Sequence, residues 1–159
     1  MRNLVKAYQE TILEVGRLGR YVEVPMGENE VSILPLVSVD YNFCSAIVLK
    51  GGELFGLPHI LPVYSKVIRS PEEHLAGMIT KIRKDPKEIQ AIILASDNLK
   101  DLETCCSNLE LQVVDFHEGE HVKDKKECWL MHQRDVIVVP ERNEVIIHTH
   151  VSRIVKKFK

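Results

Sequence analysis

Residues 43 to 62, FCSAIVLKGGELFGLPHILP, limit the fold more than any other stretch of this chain. Two apolar runs flank a pair of glycines, which is the pattern of a β-hairpin with a two-residue turn. A turn at Gly51-Gly52 places Cys44 directly opposite His59, and directly opposed Cβ atoms lie about 4.5–5.5 Å apart. We therefore expect a thiol and an imidazole to be neighbours on one face of this hairpin, unless a bulge at Gly56 moves His59 to the other face.

The rest of the chain alternates between helix and strand patterns. A capping box formed by Ser70 and Glu73 begins one helix, and Asp97 is a candidate N-cap for another. Helices are predicted over residues 3 to 15, 71 to 84 and 98 to 108. Strands are predicted over residues 21 to 24, 30 to 39, 89 to 95, 111 to 116, 128 to 131, 135 to 139 and 144 to 148. This order predicts an α+β fold, a layered sandwich of mixed, largely antiparallel β-sheets flanked by helices, with an antiparallel meander near the C-terminus.

Length, composition and charge narrow the class of protein. The length of 159 residues and hydrophobic content of 45% predict one domain over residues 1–159, in which residues 1–18 form a helical extension. The net charge of −2 provides no basic surplus for a nucleic-acid backbone, so we expect no nucleic-acid partner. No apolar run reaches the ~18 residues of a membrane span and the N-terminus is polar, which predicts a cytoplasmic protein without membrane insertion. The four cysteines include no C-x-x-C pair, so we expect reduced thiols.

Cys44 and His59 have the chemistry of a nucleophile and its acid–base partner. A free thiol with a pKa near 8.5 is mostly protonated at neutral pH, and an adjacent imidazolium stabilises the reactive thiolate. The imidazole can then pass a proton to a leaving amine, as amide hydrolysis requires. A third group commonly orients the imidazole, and Ser38, Asp40 and Asn42 are the candidates just upstream of the cysteine. The alternative is structural, because cysteine is among the most buried residue types and can pack as a small apolar side chain.

The order of these residues resembles that of the chemoreceptor glutamine deamidases of bacterial chemotaxis, the CheD family. The similar pattern is a cysteine, a β-run, a glycine-containing turn and a histidine followed by Leu61-Pro62, within a core of about residues 31–149. The same hairpin is similar to that of the cytotoxic necrotizing factor toxins. The resemblance implies that Cys44 is the nucleophile, that His59 is the general base and acid, and that Ser38 stands at the position of a family threonine. It also implies deamidation of glutamine side chains in a protein substrate, without a metal or an organic cofactor.

Other residue groups indicate weaker roles. The histidines at positions 117, 121, 132, 148 and 150 do not match a zinc-binding spacing, so we expect no metal site. Cys105 and Cys106 are adjacent on a predicted helix, where we expect at most one of them to point inward. The sequence is therefore compatible with two functions of different classes. One is a cysteine-dependent amidohydrolase, and the other is a non-catalytic binding module of the same fold with an inert Cys44. Both predict a protein partner.

Overall fold

Two β-sheets stacked face to face form the centre of the structure. The computed structural model describes residues 2–41, 43–62, 69–119, 133–149 and 152–159, with side chains from residue 9 onwards. The strands are β1 (Val22–Glu23), β2 (Asn29–Ser32), β3 (Leu36–Ser38), β4 (Ala46–Gly51), β5 (Leu54–Pro58), β6 (Gln90–Ala95), β7 (Gln112–Glu118), β8 (Arg134–Val139), β9 (Glu144–Thr149) and β10 (Arg153–Lys157). The first sheet has the order β1-β3-β8-β9-β10 and the second β2-β5-β4-β6-β7, with parallel pairing at β1–β3 and β6–β7 and antiparallel pairing at the other junctions. The expected α+β sandwich of mixed, largely antiparallel sheets is confirmed.

Helices cover the outer faces of both sheets. On the first sheet lies α1 (Arg2–Gly16), whose Val15 packs against the outward-facing cluster that contains Ile137. On the second sheet lie α2 (Pro71–Ile82) and α3 (Leu99–Asn108), which share an apolar cluster with it. The order of layers is therefore helix, sheet, sheet and helix. Within the described ranges, no helix combines the length and the apolar character that crossing a bilayer requires.

Apolar side chains fill the space between the two sheets. Along β4, Ala46 and Val48 face this space whereas Ile47 faces α2 and α3, because successive side chains of a strand point to opposite faces. Val136 of β8 faces it from the first sheet. The other buried members of this intersheet core are Val24, Leu36, Tyr41, Cys44, Phe55, Leu57, Ile92, Leu94, Val138, Val145, Ile147 and Phe158.

The starts of α2 and α3 differ in how well the sequence predicts them. Ser70 Oγ accepts a hydrogen bond from the amide of Glu73 at 3.2 Å, so the predicted serine N-cap of α2 is confirmed. The Glu73 carboxylate accepts from the Ser70 hydroxyl at 3.3 Å, whereas in a capping box it would accept from the Ser70 amide. The N-cap of α3 is Asn98, and the prediction of Asp97 at that position is wrong. The Asn98 side chain accepts from the amide of Ser96 at 3.2 Å, which closes the turn that leads into the helix.

The hairpin of β4 and β5 forms with a different register from the predicted one. Gly51 pairs with Leu54, so the turn consists of Gly52-Glu53. The prediction that Cys44 lies directly opposite His59 is therefore wrong.

The two adjacent glycines meet different requirements. Gly52 has φ +62° at the first turn position, a conformation that glycine adopts at little cost. Gly51 lies in β4 against α2, where a Cβ atom would be 2.3 Å from Cγ2 of Ile82. The first glycine therefore reflects helix packing, which is why the turn lies one residue later than predicted. This change moves the pairing by two residues, so Cys44 and His59 remain on one face of the hairpin.

The segment predicted as one strand over residues 30 to 39 crosses between the sheets. Its first part is β2 of the second sheet and its last part is β3 of the first, with Pro35 between them. The amide of Leu34 donates to Ser32 Oγ at 2.9 Å in this crossing. At the C-terminus, β8, β9 and β10 form the predicted antiparallel meander. The strand predicted over residues 128 to 131 lies outside the described residues.

Cys105 and Cys106 of α3 are both buried, so the expectation that at most one points inward is wrong. Cys106 packs in the apolar cluster between the helices and the second sheet. Cys105 also faces α2, where its Sγ donates to Oε1 of Glu72 at 2.8 Å. Both cysteines are free thiols, as is Cys44.

Candidate functional site

Buried polar side chains meet at one end of the space between the sheets. Because neighbouring strands there are antiparallel, the end of β3 lies beside the start of β8, and the end of β5 beside the start of β4. The side chains that meet there, hereafter the Cys44 site, have exposed fractions between 0% and 4%. The site consists of Ser38 at the end of β3, Tyr41 on the β3–β4 connection, Cys44 before β4, His59 after β5 and Arg134 at the start of β8.

Ser38 and His59 form a hydrogen bond across the two sheets. Oγ of Ser38 lies 2.8 Å from Nδ1 of His59 and 2.7 Å from the carbonyl oxygen of Val24. The hydroxyl has one proton and donates it to Val24, so Nδ1 of His59 donates to Ser38. A neutral imidazole then carries its proton on Nδ1, and Nε2 is left as a free base. Within the described part of the chain, Nε2 has no hydrogen-bond partner.

Tyr41 holds the imidazole from its face. The rings of Tyr41 and His59 are stacked, with centroids 4.0 Å apart and planes inclined by 15°. The Tyr41 hydroxyl donates to the carbonyl of Pro58 at 2.8 Å, and its amide donates to the carbonyl of Arg134 at 2.8 Å. The serine at the ring edge and the tyrosine on the ring face thus hold the imidazole in one orientation.

The connection that leads to Cys44 has a strained backbone. Asp40 has φ +62° and Phe43 has φ +61°, left-handed conformations that are uncommon for residues other than glycine and costly for a bulky side chain. The Asp40 amide donates to Oδ1 of Asp135 at 3.1 Å, and its carboxylate accepts from Nε2 of Gln133 at 2.6 Å. Strain of this kind clusters at functional sites, where surrounding contacts maintain it.

Cys44 and His59 are diagonal neighbours on the hairpin. The adjacent residues Ser45 and Ile60 form an isolated bridge with backbone hydrogen bonds of 3.0 and 2.9 Å. Ile60 points toward the helices. Because side chains alternate along a strand, Cys44 and His59, which precede Ser45 and Ile60, point into the intersheet space. Diagonal neighbours in an antiparallel pair lie about 7–8 Å apart. Thiol and imidazole therefore share a face and a site, but within the described residues no hydrogen bond joins them.

The surroundings of the site favour uncharged forms of both groups. Burial raises the pKa of the Cys44 thiol to about 11, an effect that the nearby charge of Arg134 opposes. Burial also lowers the pKa of His59 to about 4. At neutral pH the site therefore holds a thiol and a neutral imidazole, in contrast to the expected thiolate beside an imidazolium. A nucleophile here has to lose its proton to His59 as it attacks.

Of the candidates for the group that orients the imidazole, Ser38 contacts it. Asp40 points its carboxylate to Gln133, and its side chain is exposed. Asn42 lies outside the described residues. The serine is thus the described candidate that bonds to Nδ1 of His59.

Sequence reasoning missed Tyr41 and Arg134. A signal existed for the arginine, because the alternation of β8 places residue 134 on the same inward face as Val136 and Val138. The predicted strand began one residue later, so the inward arginine was not recognised. For the tyrosine, no local pattern predicts that it stacks on a histidine of the other sheet.

The histidines considered as metal ligands are separated in the structure. His117 contacts the guanidinium of Arg134 in the intersheet space, with 3.2 Å between Nδ1 and Nη1. His148 is buried on the outer face of the first sheet, where its Nε2 lies 2.5 Å from Oε2 of Glu14 on α1. The described residues contain no group of His, Cys, Asp or Glu side chains suited to hold a metal ion. The histidines at positions 121, 132 and 150 lie outside those residues.

Comparison with known protein families and curated proteins does not assign the chain to a family. No model of a known protein family matches the chain, and no curated protein matches its sequence significantly.

Proposed function

We propose that this protein is a cysteine-dependent amidohydrolase that deamidates glutamine side chains of a protein substrate in the cytoplasm. Cys44 is the nucleophile, His59 is the general base and acid, and Ser38 orients the imidazole. The observation that carries the proposal is the Ser38–His59 hydrogen bond, because it leaves Nε2 unprotonated on the face that the cysteine shares, where no described residue bonds to it. The choice of glutamine rests on the resemblance of the hairpin to that of the chemoreceptor deamidases.

The proposed reaction passes through a thioester. Nε2 of His59 takes the thiol proton as Sγ of Cys44 attacks the amide carbon, and the carbonyl electron pair moves onto oxygen. When this oxyanion collapses, the C–N bond breaks and ammonia leaves with the proton from Nε2. Water then attacks the thioester carbon with His59 again as the base, which releases the carboxylic acid and restores the thiol. The net change converts one amide and one water into one acid and one ammonia.

The pKa values of the site agree with this order of events. A histidine with a pKa of about 4 is neutral at pH 7 and is available as a base. A thiol with a pKa of about 11 does not ionise in advance, so proton transfer accompanies the attack. Because Cys44 is 4% exposed, the site has to open before a protein side chain can reach it.

The second candidate function is a non-catalytic binding module. The observation that favours it is the burial of the Cys44 thiol, which is 4% exposed and whose pKa is raised to about 11. Catalytic cysteines are commonly reachable and have lowered pKa values, whereas buried structural cysteines are inert.

Thiol labelling and product analysis distinguish the two functions. The protein is treated with iodoacetamide from pH 5 to 9 and, in parallel, incubated with a glutamine-rich protein such as casein. Mass spectrometry locates the alkylated cysteines and any glutamate formed from glutamine. The hydrolase function predicts labelling of Cys44 and glutamate formation that Cys44→Ser and His59→Ala abolish. The matched control Cys105→Ser changes a buried cysteine outside the site and should retain both. A Cys44 that is labelled only in denaturant, together with no glutamate, supports the binding module.

A further inference from the structure

Arg134 is a buried cation in the Cys44 site. Its side chain is 1% exposed, and from the first position of β8 it faces the intersheet space together with Val136. Two other buried polar residues of the first sheet, Asp135 and His148, face outward toward α1, where Asp135 bonds to Thr11 and His148 to Glu14. At the start of β8, by contrast, a charged side chain points inward.

The hydrogen-bond partners of the Arg134 guanidinium are uncharged. Nη2 donates to the carbonyl of Cys44 at 3.1 Å, and Nη1 donates to Nδ1 of His117 at 3.2 Å. Burial lowers the pKa of His117 to about 4, so this histidine is a neutral acceptor. Nε has no partner among the described residues, and no carboxylate of those residues pairs with this arginine. A buried charge without a counter-charge is unfavourable unless the site supplies an anion.

Among the described residues, few groups around the guanidinium can become anionic. On the connection to β4, the thiol of Cys44 and the hydroxyl of Tyr41 both feel the positive charge, which favours their ionised forms. From β7 the neutral His117 faces it, and Lys156 of β10, whose charge acts on His117, is paired with Asp115 at 3.3 Å. The tyrosine hydroxyl is already bonded to a carbonyl oxygen and burial raises its pKa, so of these two described groups the thiol is the one that can take the negative charge.

We propose that Arg134 stabilises negative charge at Cys44, both on the minor thiolate population that alkylation samples and on the oxyanion that forms beside the sulfur during attack. The guanidinium is anchored on the carbonyl of Cys44 itself, and its Nε, to which no described residue bonds, is buried in the same site. The oxyanion part of this inference rests on the proposed function, whereas the thiolate part does not. Arg134 is thus the electrostatic counterpart of His59: the histidine removes the proton and the arginine holds the charge left behind.

A fixed anion at position 44 tests the inference without any turnover. Cys44→Asp and Cys44→Asn differ in one charge, and their melting temperatures are compared from pH 8 to pH 2. If Arg134 holds an anion there, the pKa of the introduced carboxyl is depressed and the Asp variant loses stability relative to Asn as the pH falls. If Arg134 does not act on this position, burial raises that pKa and the Asp variant gains stability relative to Asn as the pH falls. The second result overturns the inference.

Replacement of the arginine tests the same point from the other side. Arg134→Met removes the charge and Arg134→Lys keeps it, with circular dichroism to verify folding and Arg142→Met as an exposed control. The rate of Cys44 alkylation at pH 8.5 should fall about tenfold or more in Arg134→Met, because an opposite charge at this range shifts a pKa by about 1–3 units. Arg134→Lys and Arg142→Met should stay within a few-fold of the native rate. An unchanged rate in a folded Arg134→Met overturns the inference, and if that variant fails to fold the Asp–Asn comparison decides it.

The two proposals fail in different ways. If charge is stabilised at position 44 but no glutamate forms, the role of Arg134 as an anion-binding residue is supported and the hydrolase function is contradicted. If a folded Arg134→Met variant still forms glutamate at the native rate, the hydrolase function is supported and the role of the arginine is contradicted.

Discussion

Ser38 reaches His59 from the opposite sheet, and their 2.8 Å hydrogen bond joins the two layers of the sandwich at the Cys44 site. The serine belongs to β3 of the first sheet, and the histidine follows β5 of the second. The protonation state of the imidazole therefore depends on the stacking of the two sheets and not on the hairpin alone. Any change that separates the sheets at this end also releases Nδ1.

The serine hydroxyl is expected to contribute to both activity and stability. Ser38→Ala leaves the buried Nδ1–H of His59 without an acceptor, which should cost about 1–3 kcal/mol in the free energy of unfolding. It also frees the ring orientation, so kcat/KM for deamidation should fall about 10²-fold. Chemical denaturation and the casein assay measure the two effects. Ser38→Thr retains the hydroxyl and is the matched control; equal activity in the Ala and Thr variants would show that the bond does not orient a catalytic base.

The protonation of His59 should make the protein less stable in mild acid. Its folded pKa of about 4 lies below the unfolded value of 6.5, so the folded state favours the neutral ring. The unfolded state then binds more protons between these values, and the contributed stability is complete above about pH 6.5 and lost as the pH falls toward 4. NMR titration of the imidazole should give a midpoint below 5, and His59→Gln should reduce the slope of stability against pH. A midpoint near 6.5 would contradict the burial of a neutral imidazole.

Close packing at Gly51 should make this position intolerant of any side chain. A Cβ atom there would lie 2.3 Å from Cγ2 of Ile82, so Gly51→Ala should destabilise the protein by about 1–3 kcal/mol. The matched test is Gly51→Ala combined with Ile82→Ala, which removes the clashing methyl group. The two changes should cost less together than the sum of their separate costs in urea denaturation. Strict additivity would show that the clash is not the cause.

The C-cap of α2 is a site where glycine should stabilise the protein. Arg83 has φ +59° and ψ +38°, is exposed, and its amide donates to the carbonyl of Ile79 at 3.1 Å. Left-handed conformations are costly for residues with a Cβ atom, so Arg83→Gly should add about 0.5–1 kcal/mol to the free energy of unfolding. Lys81→Gly, two residues earlier and inside the helix, should instead cost about 1 kcal/mol. The same sign for both substitutions, measured by thermal unfolding, would contradict the role of the left-handed cap.

The β4–β5 hairpin shows which features a local sequence pattern can predict and which it cannot. Two apolar runs and two glycines predicted both strands and a two-residue turn, and the shared face of Cys44 and His59 followed from them. The register was wrong because one glycine is needed for a close approach of α2, which is a contact between elements distant in sequence. An error of two residues along the pairing preserved the face and changed the direct neighbour.

By itself, the sequence determined the elements that depend on local interactions. It indicated the N-cap of α2, the buried strand β6, the C-terminal meander and the residue types of a candidate nucleophile and base, because caps, periodicity and turn residues act within a few positions. The tertiary structure alone decided which side chains meet. The stacking of the sheets brings Ser38 and Tyr41 to His59, turns Arg134 inward and removes Cys44 from water, because these contacts and pKa shifts arise from burial between residues of different strands.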